Sequence, residues 1–458
     1  MFKPDPSKLM KSFYTVDAII MGVESSEVYF NWTNKIKVRW LAISDDFEKA
    51  VMPIVRVSLS LSDDERLTIQ KHKNDILINL KVHRIEKSYD EELQSYQDTS
   101  NNVVFDLNFQ IFTMGPESTH LSKEERFDRT EIEGEDQLTS NNPNAEMKET
   151  PMTFVLSCTD FRNRFKIPIN FNHTKLGSQD ATVAGAMALG ISKCVTAPKS
   201  VVFQDPDNTE NYTQITVPPF NLKDFCNYMQ HMYGVYKTGL IVYQDLKYLY
   251  VIPKISKNFA VPEGEYNSVT VFIYGSEAAI SGESHVGYYK DDDNSTYTLM
   301  QTAGYQVVRM DEYIRETTGS DYNVVSDKQI ESSISYGNGS FSNTKPYKEY
   351  ATEIKGASSN SVKKVRNFHD ELDNEMNATE LVENAKLLVN TFTMSFRDVD
   401  IDVFKYNRLY RMNINENVNL DVRFGGTYKM LTAEKIITRE NGNHEMNSKV
   451  SATFAKLE

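Results

Sequence analysis

Residues 218–253, PPFNLKDFCNYMQHMYGVYKTGLIVYQDLKYLYVIP, read as a helix, a turn and a hairpin. Asn221 is placed to cap the helix, with Asp224 three residues on as the capping-box acid. Leu222, Phe225, Met229 and Met232 recur at helical spacing and form one apolar face. Gly234 stands where a helix C-terminus favours glycine. Two β-rich runs follow, Gly239 to Tyr243 and Tyr248 to Ile252, joined through Gln244-Asp245-Leu246-Lys247 as a slightly long hairpin loop that Pro253 closes. Such a unit buries one helix face on one sheet face, and none of its residues forms a catalytic pattern.

Outward from this stretch the chain is β-rich. At 458 residues it is long enough for two to four compact units. With 40 % hydrophobic and 25 % charged residues it has the composition of a folded globular protein. The abundance of Tyr and Phe in short β-branched runs tilts the class towards β. A formal charge of −14 argues against a dedicated nucleic-acid binder, whose footprint is a basic stripe, and suits solubility at high local concentration. The cysteines Cys158, Cys194 and Cys226 have neither metal-ligand spacing nor an even count, so they read as small buried hydrophobes. The N-terminus lacks the apolar core of a signal peptide, and no run reaches bilayer-spanning length, which implies assembly in a reducing cytoplasm.

In chain order, strands are expected at 14–21, 28–32, 35–43, 54–61, 76–85 and 103–113, as an N-terminal antiparallel barrel over 1–150. Ser44-Asp45-Asp46 and Ser62-Asp63-Asp64 read as turns between them. Residues 116–150 are acidic and poor in apolar side chains, a long surface loop. An α/β unit spans 151–255: strand character over 153–170, a helix capped by Ser178 over 179–192 with Val183, Met187 and Ile191 on one stripe, then the opening stretch. Strands near 268–274, 296–302 and 306–310, with those at 391–395, 408–414, 418–424, 428–439 and 444–456, form a second, discontinuous barrel from 256–314 plus 386–458. Asn441-Gly442 is its clearest hairpin signal. Between them, 315–385 reads as a polar extended arm over 315–376 followed by a helix from 378 to 390.

The sequence offers no catalytic, cofactor or metal residues. GxSxG, HExxH, CxxC and phosphate-loop patterns are missing. Gly337-Asn338-Gly339 lacks the strand-to-helix setting of a phosphate loop, and Asp291-Asp292-Asp293 lacks the spaced oxygens of a calcium loop. His231 falls on the polar side of its helix. Tyr243, Tyr248 and Tyr250 at strand spacing offer rings to sugars or bases, but that pattern is commoner among half-buried sheet residues.

Three segments together resemble the hub proteins of tailed-bacteriophage baseplates. They are the N-terminal strands in general character, the 218–253 unit, and the C-terminal run through Val418-Asn419-Leu420-Asp421-Val422, Gly425-Gly426-Thr427-Tyr428-Lys429-Met430-Leu431 and Ile436-Ile437-Thr438-Arg439. The segments 116–150 and 315–376 have no counterpart in a minimal hub. The resemblance implies a virion structural protein and no enzyme: a homotrimer whose paired barrels adapt a sixfold tail tube to a threefold central spike. Its implied partners are the tail tube protein, the spike and other baseplate proteins. DNA would pass through an acidic lumen without specific binding, and no membrane insertion is implied. A carbohydrate- or receptor-binding tail protein and a tail-associated cell-wall hydrolase are the alternatives.

Overall fold

The computed structural model describes residues 10–24, 27–90, 95–116, 149–175, 180–195, 200–262, 265, 268–273, 287–290, 296–301, 305–308, 321–325, 334–335, 349–355, 360–366, 391–414, 425–439 and 444–457. The first part contains β1 (Met10–Gly22), β2 (Val28–Asn31), β3 (Val38–Asp46), β4 (Ile54–Leu61), α1 (Asp63–Lys71), β5 (Ile76–Asp90), β6 (Ser95–Pro116) and β7 (Thr150–Cys158). β1 alternates buried and half-buried positions along nearly its whole length, the period-two pattern of a strand with one face on a core. The β4 limits coincide with those expected from sequence.

Ser62-Asp63-Asp64 begins a helix rather than a turn. The Ser62 hydroxyl accepts from the Glu65 amide at 3.3 Å, and the Glu65 carboxylate accepts from the Ser62 amide at 2.8 Å. Three acids in its first turn face the positive end of the helix dipole. The serine and the glutamate three residues later are the sequence signature of this reciprocal cap. Replacing Ser62 with alanine is expected to lower stability by about 1 kcal/mol. An unshifted urea midpoint would show that the cap adds nothing.

The middle part contains α2 (Thr159–Arg164), β8 (Ile169–Thr174), β9 (Ala181–Thr182), α3 (Val183–Cys194), β10 (Val201–Phe203), β11 (Asn211–Tyr212), β12 (Gln214–Phe220), α4 (Leu222–Tyr233), β13 (Leu240–Gln244) and β14 (Leu249–Pro253). α4 starts and stops as its residues dictate: the Asn221 side chain accepts from the Asp224 amide, and Gly234 adopts φ 64°. Met232 is only partly buried, and Cys226 takes the remaining place on the buried face. α3 begins later than expected, capped by Thr182 on the Gly185 amide at 3.1 Å, because Ala181 and Thr182 pair with Tyr212 and Asn211 as strands. Ser178 lies outside the described residues. The strand character expected over 153–170 is broken by α2, which β7 enters at Cys158.

The hairpin β13–β14 decides how this unit sits. Val242, Leu249 and Val251 join a core with α3 and α4. Ile241, Tyr243, Tyr250 and Ile252 point the other way, into the core of the large sheet. Both faces of the hairpin are therefore buried, one in each core, and it is the plane on which the two cores meet.

The remaining strands are β15 (Ser268–Ile273), β16 (Gly287–Lys290), β17 (Thr296–Gln301), β18 (Tyr305–Val308), β19 (Asp321–Val325), β20 (Ile334–Ser335), β21 (Glu349–Lys355), β22 (Asn360–Arg366), β23 (Thr391–Arg397), β24 (Leu409–Ile414), β25 (Gly426–Arg439) and β26 (Met446–Lys456). Within the stretch read as a polar arm, β20, β19, β21 and β22 pair in that order as an antiparallel sheet. Local polarity hid it, because Gly, Ser, Asn and charged residues dominate the stretch and mask the strand pattern. The helix expected over 378–390, the strand over 418–424, and the greater part of the 116–150 loop fall outside the described residues.

The two barrels expected from sequence are not separate. Their strands belong to one 15-stranded sheet, whose pairings close two circuits. One runs β25–β3–β4–β7–β6–β5–β1–β26 and back to β25. The other runs β25–β24–β15–β17–β16–β1–β26 and back. Strands β1, β25 and β26 are common to both. β25 serves both circuits because a bulge between Met430 and Thr432 changes its course: Gly426–Lys429 pair with β24, while Thr432–Thr438 pair with β3. The second circuit is not wholly antiparallel, since β15 is parallel to both β17 and β24. Its apolar run Ser268–Ile273 suits a strand buried between two neighbours. The fold is β-rich α+β.

Candidate functional site

Between β23 and β24 the chain crosses the interior. From Val399 to Tyr410 every residue but Asp402 is buried, including the ionisable Asp400, Lys405 and Arg408. Of this segment, DVDIDVFKYNRLY, sequence reading placed only the last three residues in a strand, because the acids and apolar residues before them alternate without the length of a helix or strand. That alternation next to two strands was the available signal. A short 3-10 turn at Ile401–Val403 is capped by Asp400, whose carboxylate accepts from the Asp402 amide at 2.9 Å.

Several parts of the fold hold this segment by named bonds. From β1, the Tyr14 hydroxyl donates to the Val399 carbonyl at 3.1 Å and accepts from the Ile401 amide at 2.9 Å. From β5, Arg84 pairs with Asp400 and, at 3.3 Å, with Glu86. From β26, Ser448 bonds both the amide and the carbonyl of Val399. Glu265 accepts from Lys405 at 2.7 Å and from Arg408 at 3.0 Å. Arg408 also donates to the Asp402 and Val403 carbonyls. The Tyr406 hydroxyl donates to the Lys254 carbonyl at 2.8 Å, and its ring packs on Phe47 and Phe259.

The hairpin tip closes the other side. Asp245 accepts from the Lys247 and Tyr248 amides at 2.6 Å and from the Tyr250 hydroxyl at 2.8 Å, so one carboxylate fixes the whole turn. Lys247 pairs with Asp402. Tyr243 donates to Asp45 at 2.6 Å, and Lys435 reaches the same carboxylate at 2.8 Å. Burial alone would push Asp402 up, but Lys405 and Lys247 outweigh it and hold the carboxyl well below its usual range. Burial likewise opposes the charge on Lys247, yet Asp402 raises its pKa overall. Asp245 moves upward, driven by burial and only partly offset by Lys405.

A small cavity of about 20 Å³ remains here, lined by Asp45, Asp245, Lys247, Asp402, Lys405 and Lys435 among others. Three acids and three lysines balance one another around room for a single water. Among the described residues these groups form a largely buried ionic clasp joining four parts of the chain.

Residues singled out from sequence lie elsewhere or in other roles. Tyr243 and Tyr250 are fully buried, so their rings are not offered to a sugar. Tyr248 is partly buried beside Tyr250. His231 is exposed. Cys158, Cys194 and Cys226 are free and buried. Asp291–Asp293 and Gly337–Gly339 lie outside the described residues. Among the described residues no three metal-ligating side chains cluster, and no helix is long and apolar enough to cross a membrane.

The family model for the bacteriophage PBS1 gene 109 protein matches residues 5–454, and the chain belongs to that family. It is therefore a bacteriophage protein. No curated protein matches it. Among solved structures it is similar to a chain of the PdpA–VgrG complex in its lidless form, at 8 % identity and a TM-score of 0.35 over 98 % of this chain and 66 % of that one. It is also similar to a chain of the half-lidded Francisella PdpA–VgrG complex, at 8 % identity and a TM-score of 0.34 over 98 % and 58 %. The chain thus spans less than two thirds of the length of those chains.

Proposed function

We propose that this protein is a structural part of a phage virion, the baseplate hub that joins the sixfold tail tube to the threefold central spike. In this reading it assembles as a homotrimer, contacts the tube, the spike and other baseplate proteins, and carries out no catalysis. The observation that carries the reading is the pair of strand circuits closed within one chain and joined through β1, β25 and β26. Two barrel-like rings per chain become six in a trimer, the number needed to meet a sixfold tube. Membership of a phage family and the resemblance noted in the sequence support the same reading.

The described interior bears on where DNA would pass. The first circuit encloses an apolar core, with Val57, Leu80, Tyr14, Phe154 and Phe454 all fully buried. A channel therefore belongs between copies and not through that circuit. The formal charge of −14 favours a wall that repels phosphate. The buried clasp suits a part that must transmit force, because it ties strands from both ends of the chain to the hairpin.

Light scattering on the purified chain, alone and mixed with the central spike protein, tests the reading. The expected mass is three times the 52.5 kDa of one chain, either alone or on the spike. A monomer in both samples would remove the basis for a sixfold-to-threefold adaptor.

A further inference from the structure

Lys429 is an ionisable group buried where it has little to serve its charge. It sits on β25 two residues before the bulge at Leu431, with its side chain completely excluded from solvent. Its Nζ donates to the Lys254 carbonyl at 2.6 Å. That carbonyl already accepts from the Tyr406 hydroxyl at 2.8 Å. The Glu48 carboxylate stands 3.9 Å away, beyond hydrogen-bond reach, and is shared with Lys254 at 3.7 Å. The Tyr406 ring lies 4.4 Å beneath the nitrogen. Across the strand its neighbours are Leu409 and Ala455, which carry no charge. Three donors thus meet one acceptor at hydrogen-bonding distance among the described residues, and two cations share one carboxylate.

The groups that meet here come from separate parts of the fold. Glu48 follows β3, Lys254 follows β14, Tyr406 belongs to the buried segment, and Lys429 lies on a strand common to both circuits. We propose that Lys429, Glu48 and the Lys254 backbone form a proton-operated joint between β25 and the helix–hairpin unit, closed while Lys429 is uncharged and loosened when it takes up a proton. A neutral amine still donates to the Lys254 carbonyl, whereas an ammonium leaves two donors poorly served in an apolar setting. Burial lowers the Lys429 pKa to about 7, and the Glu48 carboxylate only partly opposes that. The device is independent of the hub reading.

The sign follows from proton counting. An opened joint lets Lys429 regain an ordinary lysine affinity, so the open form binds more protons than the closed form above the folded pKa. Hydrogen exchange of the Leu240–Ile252 amides, corrected for the intrinsic chemical rate, measures the opening constant. In the wild-type chain this constant is expected to rise about tenfold for each unit that pH falls from about 9 towards 7, then level off. In Lys429→Met that added rise disappears. Should Lys429→Met fail to fold, Glu48→Gln serves: without the carboxylate the levelling-off point moves to lower pH. Parallel opening curves for wild type and Lys429→Met, or a levelling-off point unmoved by Glu48→Gln, would overturn the joint.

Discussion

Arg84→Met is expected to destabilise the protein by about 3–5 kcal/mol, the range seen when one partner of a buried ion pair is removed. Arg84 is flanked by Asp400 and Glu86, whose side chains are 5 % and 7 % exposed. Glu86 retains the Ser100 hydroxyl at 2.8 Å and the Tyr288 hydroxyl at 3.1 Å. Among the described residues Asp400 keeps the local bond from the Asp402 amide but loses the guanidinium paired with it. The effect should therefore run mainly through Asp400. One further outcome identifies it. Adding Asp400→Asn to Arg84→Met should recover part of the loss, because the stranded charge is gone. Chemical denaturation of the single and double variants measures it. A loss below about 1 kcal/mol would mean that the clasp is not a structural necessity.

Phe225→Ala is expected to cost about 3–5 kcal/mol, and Gly190→Ala about 1–3 kcal/mol, while the double variant loses less than the sum. The reason is a single close approach. A Cβ built on Gly190 of α3 would lie 2.3 Å from the Phe225 ring of α4, a distance no relaxed contact allows. Glycine is present because the ring of the facing helix occupies the space. Phe225 is fully buried and meets Phe171 edge to face with centroids 6.0 Å apart, so its removal opens a void that small residues cannot close. The vacated volume is next to Gly190, and the alanine methyl then enters it without displacing anything. Strict additivity in the double-mutant cycle would show that the two helices do not meet through this pair.

Much of the local structure was legible in the chain. α4 is specified by Asn221, the spacing of Leu222, Phe225 and Met229, and Gly234, because caps and apolar periodicity act over a few residues. The β13–β14 hairpin and the β4 strand were equally plain. α1 was legible too, in Ser62 and Glu65, but an acidic cluster after serine also fits a turn. The sugar-stacking role open to Tyr243 and Tyr250 was settled only by burial, which depends on the sheet that covers them.

What the amino-acid order determined by itself is the set of elements: a β-rich chain with a capped helix and hairpin at its middle, lacking the spaced ligands and nucleophiles of an enzyme motif. Tertiary structure alone decided that the strands of both halves share one sheet, that a bulge at Leu431 lets β25 serve two circuits, and that DVDIDVFKYNRLY runs through the interior. The division has a physical cause. Helix caps and turns are satisfied by neighbours a few residues away, whereas strand partners such as Asp46 and Thr432, or an ion pair such as Arg84 with Asp400, are chosen across hundreds of residues. For those pairs the chain supplies only donors and acceptors, and the fold selects which of them meet.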